Sequence, residues 1–209
     1  MEKRIALLVS GASGMLLPVR FLALAAAHPG VARLHLVVSR GASRVLFHEL
    51  GPERAGAEGL VTAAGLDAAA RAKVVIHRDH ELDAPLSSGS YRLAGTVVLP
   101  CSSGTLGALA TGSAATLVHR AGAVALKERW PLLLGFRETP LHVVHLENLR
   151  TLAWSGATIV PPIPAFYLGG EELHRFVDAY SQRLCDHLAL AGGEPALRWR
   201  GGDGSPAAG

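Results

Sequence analysis

The sequence predicts an α/β fold built on a single doubly wound, mostly parallel sheet of the Rossmann-like or flavodoxin-like kind. Short apolar runs typical of buried strands alternate along the chain with longer segments of helical composition. Of the 209 residues 49% are hydrophobic and only 18% are charged, as expected of one compact domain with a large core. Because strands that alternate with helices pair in parallel through right-handed crossovers, we expect helices on both faces of the sheet.

The first half of the chain contains three predicted strands and three predicted helices. The strands are the apolar runs 5–9, 34–38 and 74–77, and the helices cover 16–27, 39–49 and 66–71. The stretch 51–70 is rich in Gly and Ala and gives weak signals. The first 27 residues share an apolar character with signal peptides, but a glycine-rich turn at 10–14, Pro18 and Arg20 interrupt the run. A strand, a turn and a helix explain this segment better.

The second half predicts strands over 96–99, ending at Pro100, over 131–134 and over 158–160. Helices are predicted over 101–109, 113–121 and 171–190. A further helix is expected to begin with Thr139 as N-cap and Pro140 in the first turn, where a missing N–H costs nothing, and to run to about Trp154. The tail, rich in Gly, Ser, Pro and Ala, predicts disorder, so one domain covers residues 1–200 and the tail covers 201–209.

Charge and cysteine usage restrict the class of protein. The formal net charge is +3, and the Lys and Arg residues are scattered rather than clustered, which argues against a nucleic-acid partner. No membrane partner is predicted. Cys101 and Cys185 lie far apart and make no disulfide framework, so a reduced, cytoplasmic protein is the better interpretation.

Several segments with polar or small residues follow predicted strands, where ligands of open α/β sheets collect. Ser10-Gly11-Ala12-Ser13-Gly14 follows the first strand, Ser39 the second, and Cys101-Ser102-Ser103-Gly104-Thr105 a later one. Small residues let backbone N–H groups approach an anion at a helix N-terminus. The first segment is not a GxGxxG fingerprint and is also explained as a tight turn. The serines of the later segment are also explained as helix N-caps, and both roles can hold at once.

A group of charged residues lies close to the apolar run 131–134. Lys127, Arg129, Arg137 and Glu138 suggest a cationic cup for a phosphate, in which arginine supplies bidentate contacts and lysine a point charge. Arg183 on the last helix and Tyr167 would complete the cup. A purely structural ion-pair network is the alternative explanation.

Three other patterns give weaker hypotheses. His142, His145 and Glu147 are spaced so that the carboxylate points away from the two imidazoles, and no metal is predicted. Cys101 lacks a neighbouring His or Asp and is predicted to be a buried structural thiol. Ser13 has no base near it in the sequence, so a hydrolase triad is unsupported.

Taken together, five segments resemble the flavin prenyltransferases, the UbiX family, from about Arg4 to Trp199. They are the glycine turn 10–14, the Pro-Cys-Ser segment 100–105, residues 120–129, Arg137-Glu138-Thr139-Pro140, and the proline-rich segment 161–167. The resemblance implies a metal-independent prenyltransferase that joins dimethylallyl phosphate to N5 and C6 of reduced FMN, releasing phosphate. It further implies prenylated FMN as the product, a UbiD-type decarboxylase as the client, and a homo-oligomer, typically a dodecamer.

The same resemblance implies a set of site residues. The residues that match FMN-binding positions are Gly11, Ala12, Ser13, Ser39, Ser102, Ser103, Gly104, Thr105 and Arg120. Those that match the prenyl-phosphate site are Lys127, Arg137, Tyr167, Arg183 and Trp199. Carboxylates that match Glu49 and Glu138 assist the chemistry, together with Lys127.

The chain departs from the family pattern at several positions around the expected FMN contacts and subunit contacts. These positions are Leu17, Pro18, Ala115, Ala123 and Trp130. Two alternatives therefore accompany the prenyltransferase hypothesis. One is an FMN-dependent cysteine-type decarboxylase of the same fold, although its active-site histidine and substrate motif have no match here. The other is a flavin-binding subunit without turnover.

Overall fold

Six parallel strands form one sheet in the computed structural model, which describes residues 3–166, 173–190 and 192. The strands are β1 (Lys3–Val9), β2 (Val31–Val38), β3 (Val74–Arg78), β4 (Gly95–Cys101), β5 (Leu132–Phe136) and β6 (Thr158–Ile159). Their order across the sheet is β3-β2-β1-β4-β5-β6, and every pairing is parallel. The predicted doubly wound α/β fold is confirmed. No helix in the described ranges is long and apolar enough to cross a membrane.

Helices cover both faces of this sheet. They are α1 (Leu16–Ala27), α2 (Arg40–Leu50), α3 (Gly56–Ala64), α4 (Ala68–Lys73), α5 (Ser103–Ala110), α6 (Leu117–Lys127), α7 (Val143–Trp154) and α8 (Leu173–His187). On one face α1 packs against α3, α4 and α8, and on the other α5 packs against α6 and α7. Successive residues of a strand point to opposite faces, so Leu7 and Leu8 of β1 belong to two separate cores. Strands buried on both faces explain the continuous apolar runs.

The chain reverses its direction of winding between β1 and β4, which are neighbours at the centre of the sheet. Loops diverge at such a switch point and leave a crevice beside the carboxyl ends of the strands. Here the crevice has a rigid floor. The buried Ser10 hydroxyl donates to the Pro100 carbonyl at 2.9 Å and accepts the Ser102 N–H at 2.8 Å. The segments that follow β1 and β4 are thereby fixed to each other.

Several predicted boundaries were wrong for local reasons. Strand β4 continues through Pro100 to Cys101, and α3 was missed. Helix α6 begins at Leu117 rather than at 113, because the Thr116 side chain accepts the His119 N–H and caps it there. Helix α7 begins at Val143, after His142, so Thr139 is not its N-cap and Pro140 is not in its first turn. The Thr139 N–H is instead engaged by the Glu138 carboxylate at 3.0 Å. The predicted tail 201–209 lies outside the described residues.

Candidate active site at the carboxyl edge of the sheet

The glycine turn at residues 10–14 connects β1 to α1 and meets a carboxylate from α2. Both oxygens of Glu49 accept backbone N–H groups, from Gly14 at 3.0 Å and from Met15 at 2.7 Å. Glu49 thus supplies the negative charge that a helix N-terminus favours. The predicted glycine turn exists, and these two of its N–H groups have an anionic partner in the chain itself.

Close approach of two backbones explains why glycine is needed at Gly11. A Cβ atom at Gly11 would lie 3.0 Å from the carbonyl carbon of Gly41 in the first turn of α2. Ser39 caps that helix, since its hydroxyl accepts the Ala42 N–H at 3.1 Å. The segments that follow β1 and β2 therefore lie side by side, as the sequence predicts for Gly11, Ala12, Ser13 and Ser39.

The junction between β4 and α5 brings hydroxyl groups to the same edge. Ser102 is the N-cap of α5, because its Oγ accepts the Thr105 N–H at 3.3 Å, and Thr105 is buried beneath it. The Ser103 hydroxyl turns the other way and donates to Glu138 at 3.0 Å. A methyl group added at Gly104 would meet open space, so the N-terminus of α5 is accessible. The predicted N-capping role is confirmed.

Arg137 and Glu138 follow β5 and lie beside the other loops. The Arg137 backbone N–H donates to the Cys101 carbonyl at 3.2 Å, and its Nε donates to the Ser13 carbonyl at 3.1 Å. The Thr139 backbone N–H, and after it the Ser103 hydroxyl, stabilise the Glu138 carboxylate and lower its pKa, with smaller contributions from Arg137 and His145. Glu138 is therefore ionised at neutral pH.

A cavity of about 360 Å³ opens between these loops and α8. Its polar wall is formed by Ser13, Gly14, Glu49 and Arg137. Its apolar wall is formed by Leu16, Leu17, Pro162, Leu173, Phe176 and Val177. A cation and a carboxylate at one end of an otherwise apolar cavity suit a ligand with a charged head and a hydrocarbon tail. Leu17, a departure from the family pattern, faces this cavity directly.

Lys127 does not reach this cavity within one chain. It ends α6, before β5 begins, whereas Arg137 follows the end of β5. The five residues of β5 alone span about 16 Å. Lys127 is ion-paired with Glu128 and contributes to a second, open concavity of about 500 Å³ at the opposite edge of the sheet. That concavity is lined by Leu126, Lys127, Arg129, Trp130, Trp154, Ser155 and Gly156.

Arg183 is also distant from Arg137 in a single chain. Leu173, at the start of α8, lines the Arg137 cavity, and ten residues of helix extend about 15 Å from there to Arg183. The helix continues toward the opposite edge, where the Lys3 ammonium donates to the Leu188 carbonyl. The expected single cationic cup is therefore divided between two edges of the sheet. Two of its expected members, Tyr167 and Trp199, lie outside the described residues.

Arg120 occupies the first turn of α6, and its Nε donates to the Ser87 carbonyl at 3.2 Å. The sequence analysis did not single out Ser87, nor Asp79, whose carboxylate accepts the Val118 N–H of the same turn. Both residues lie in the segment between β3 and β4. No motif marks them, because their contacts depend on how that segment crosses α6.

The remaining candidates have structural partners. Burial raises the pKa of the Cys101 thiol to about 12, so it is not a nucleophile at neutral pH, and both cysteines are free and buried. His142 stacks on His145 with ring centroids 3.6 Å apart, while Glu147 pairs with Arg150. Across residues 3–166, 173–190 and 192 no three His, Cys, Asp or Glu side chains converge as a metal site would require.

Comparison with known proteins gives consistent matches over nearly the whole chain. The flavoprotein family profile matches residues 1–178. Flavin prenyltransferase UbiX of Synechocystis sp. is 41% identical over 201 residues, which cover 93% of this chain and 94% of that protein. Flavin prenyltransferase UbiX of Escherichia coli O157:H7 is 36% identical over 200 residues, covering 95% of this chain and 99% of the relative.

Two solved structures superpose closely. AnUbiX (PadA1) in complex with FMN and dimethylallyl pyrophosphate has a TM-score of 0.79 and 33% identity, over 96% of this chain and 99% of that one. A dodecameric FMN-dependent UbiX-like decarboxylase from Escherichia coli O157:H7 has a TM-score of 0.81 and 35% identity, over 95% and 100%. The FMN-dependent cysteine decarboxylase TvaF has a TM-score of 0.59 at 17% identity and shows likeness of fold alone.

Proposed function

We propose that this chain, which belongs to the flavoprotein family and within it to the UbiX flavin prenyltransferases, joins dimethylallyl phosphate to reduced FMN at the carboxyl edge of its sheet. The observation that carries the site assignment is the cavity in which Arg137 and Glu49 face an apolar wall. Such a cavity suits an allylic phosphate better than a nucleotide or a peptide, since its polar groups are concentrated at one end.

The residues that follow β1, β2 and β4 fit a flavin mononucleotide. We assign FMN to Gly11, Ala12, Ser13, Ser39, Ser102, Ser103, Gly104, Thr105 and Arg120. The open space at Gly104, the helix N-terminus of α5 and the adjacent hydroxyls suit a single phosphate or a polar ring edge. When bound, reduced FMN supplies the nucleophilic ring atoms of the reaction.

Arg137 is the cation that we assign to the phosphate of the prenyl donor. Its hydrogen bond to the Ser13 carbonyl fixes the plane of the guanidinium at the entrance to the cavity. A fixed guanidinium stabilises the charge that develops on phosphate as it leaves, without reorganising at that moment. The apolar wall formed by Leu16, Leu17 and Phe176 excludes water from the reacting carbon.

Lys127 and Arg183 contribute to the same phosphate from other copies of the chain in the assembly. One phosphate cannot contact both Lys127 and Arg137 of a single chain, because β5 lies between them.

Helix α7 exposes the apolar side chains of Val143, Val144 and Trp154, at 68%, 56% and 82%, and a surface of this kind calls for a covering partner. We therefore propose a homo-oligomer, a dodecamer like the related Escherichia coli structure. In it, Lys127 and Arg183 at the amino edge of one sheet would meet Arg137 at the carboxyl edge of another. Tyr167 and Trp199 are assigned to this site by resemblance.

Two carboxylates have separate roles in this proposal. Glu138 is ionised and accepts hydrogen bonds from Ser103 and Thr139, so it can accept a proton from a substrate in the crevice. Glu49 holds the N-terminus of α1 and places a negative charge opposite Arg137. We assign it an assisting role in the proton transfer by resemblance.

Anaerobic incubation with reduced FMN and dimethylallyl phosphate tests the function. We expect the flavin recovered from denatured protein to gain the mass of a dimethylallyl group and to change its absorbance. Recovery of unmodified FMN under conditions in which both substrates bind would favour a flavin-binding subunit without turnover. A UbiD-type decarboxylase is the proposed recipient of the product. A cytoplasmic location is proposed because both cysteines are free thiols.

A further inference from the structure

The segment between β3 and β4, residues 79–94, lies along the whole of α6, and we call it the connector. At one end of α6 the Asp79 carbonyl accepts the Leu117 N–H at 2.7 Å, and the Asp79 carboxylate accepts the Val118 N–H at 3.0 Å. Within the same turn, the Ser87 carbonyl accepts the Arg120 Nε–H. The connector thus satisfies the first N–H groups of α6 and directs its first arginine.

At the other end of α6 the connector backbone touches the Lys127–Glu128 ion pair. A Cβ atom at Gly89 would lie 2.0 Å from Glu128 Oε1 and 2.8 Å from Lys127 Nζ. Both atoms are the far ends of flexible side chains, so a methyl group there would displace the ion pair and leave the backbone in place. Arg120 and Lys127, which belong to different edges of the sheet, are therefore both approached by one segment.

A chain of three polar side chains attaches the connector to the sheet. The Tyr91 hydroxyl lies 3.0 Å from His35 Nε2, and His35 Nδ1 lies 2.9 Å from His77 Nε2. His35 is on β2 and only 2% exposed, and His77 is on β3. A neutral imidazole has one donor and one acceptor, so both hydrogen bonds of His35 are satisfied only while Tyr91 stays in place. The Arg4 guanidinium, 4.8 Å from the Tyr91 ring centroid, covers its other side.

We propose that the connector is a positioning element for the two cations of α6, and that Tyr91 anchors it to the sheet through His35 and His77. The proposal rests on the proposed function, in which Arg120 binds FMN and Lys127 binds the donor's phosphate. It assigns Tyr91 and Gly89 as positioning residues.

Two substitutions in the full-length assembled protein test the anchor of the connector and its contact with Lys127. Tyr91→Phe removes the hydroxyl that anchors the whole connector, so we expect it both to weaken FMN binding and to raise the KM for dimethylallyl phosphate, each by at most about three- to tenfold, the effect of one neutral hydrogen bond. Gly89→Ala is expected to raise the KM for dimethylallyl phosphate by a similar factor while the Kd for FMN stays unchanged. Asp83→Asn, on an exposed residue of the same connector, is the matched control and should alter neither quantity.

Double variants distinguish positioning from general destabilisation. We expect Tyr91→Phe to cost nothing further in FMN affinity when Arg120 is already alanine, and Gly89→Ala to cost nothing further in KM when Lys127 is already alanine. Losses that add in the double variants would overturn the proposal, because they would come from the fold and not from the cations.

If Arg120→Ala and Lys127→Ala weaken binding but Tyr91→Phe and Gly89→Ala do not, the connector proposal fails and the proposed function stands. If Arg120→Ala and Lys127→Ala leave binding unchanged, the assignment of both cations fails and the connector proposal fails with it.

Discussion

Arg137 and Glu49 hold the same turn of the chain from two sides. The Nε atom of Arg137 donates to the Ser13 carbonyl, and the Glu49 carboxylate accepts the N–H groups of Gly14 and Met15. The turn is thereby attached both to the end of β5 and to the last turn of α2. One cation and one carboxylate consequently face a single cavity, and each has a separate, measurable effect.

Arg137→Ala should impair binding of dimethylallyl phosphate and leave FMN binding close to that of the unmodified protein. Loss of one charge-assisted contact with phosphate costs about 1.5–3 kcal/mol, or roughly 10- to 150-fold in affinity. Isothermal titration with each ligand measures both effects. Arg71→Ala is the control, since Arg71 is a half-exposed arginine of α4 paired with Glu58. Unchanged affinity for dimethylallyl phosphate in Arg137→Ala would show that the phosphate binds elsewhere.

Glu138→Gln should separate binding from turnover. The amide keeps the shape of the side chain but removes the proton acceptor, an effect of about 10²–10⁴ in rate, while both substrates still bind. Because the lowered pKa of Glu138 keeps the carboxylate ionised well into the acid range, acidification from pH 8 to pH 5 should not slow the reaction through this group. Anaerobic single-turnover spectra measure the rate. Normal product formation by the variant would make Glu138 only a partner of Ser103 and Thr139.

Glu49→Ala should destabilise the protein by about 1–2 kcal/mol, because two N–H groups at the start of α1 lose their acceptor. Glu49→Gln should cost less, since the amide oxygen still accepts one of them. Denaturant unfolding at fixed protein concentration measures the difference. Glu53→Ala, on an exposed glutamate paired with the adjacent Arg54, should have little effect. Equal stability of the Glu49 and Glu53 variants would rule out the capping role.

Acid should weaken the fold through the buried His35. Burial, then the nearby His77, Arg33 and Arg4, lowers the pKa of His35 from 6.5 to about 4. The unfolded chain therefore binds the proton first as the pH falls, so this contribution to stability is complete above pH 6.5 and is lost progressively down to about pH 4.

We expect this loss to reach about 2 kcal/mol by pH 5, measured as the difference in free energy of unfolding between the unmodified protein and His35→Gln at each pH. His77, whose pKa is also lowered, chiefly by burial, titrates in the same direction, so the difference belongs to the pair. Protonation of Glu138, whose pKa is lowered, changes the free energy of unfolding only below pH 4.5, outside the range from pH 6.5 to pH 5 over which the two proteins are compared. Parallel pH profiles for the two proteins would contradict the prediction.

Much of the candidate site was predictable from the sequence because its residues directly follow buried strands. Gly11, Ser39, Ser102 and Arg137 each follow a buried apolar run, and parallel strands bring such residues to one edge. The two-edge arrangement of the cations was also implicit in the topology. A helix that precedes a parallel strand ends at the strand's amino edge, so Lys127 cannot share an edge with Arg137. Grouping the residues by charge alone concealed this.

Other features depended on contacts that no local pattern encodes. A Cβ atom at Gly59 would lie 2.2 Å from the Arg54 backbone, so the glycine that weakened the prediction of α3 is required by packing. Helix α7 begins at Val143 rather than after Thr139, and the Thr139 N–H is bonded to the neighbouring Glu138 side chain. The connector's contacts with α6 follow from its path across the fold.

Mixed assemblies of two inactive variants test the central claim most directly, which is that Lys127 and Arg137 act on one phosphate from different copies of the chain. Lys127→Ala and Arg137→Ala proteins are coexpressed with different tags, purified through both tags, and assayed for prenylated FMN at a dimethylallyl phosphate concentration too low for either variant to react alone. If the two residues come from different copies, about a quarter of the sites in an evenly mixed assembly combine an intact lysine with an intact arginine, and activity returns to about that fraction. If both residues came from the same copy, every site would lack one of them, and the absence of any recovered activity in verified mixed assemblies would contradict the account.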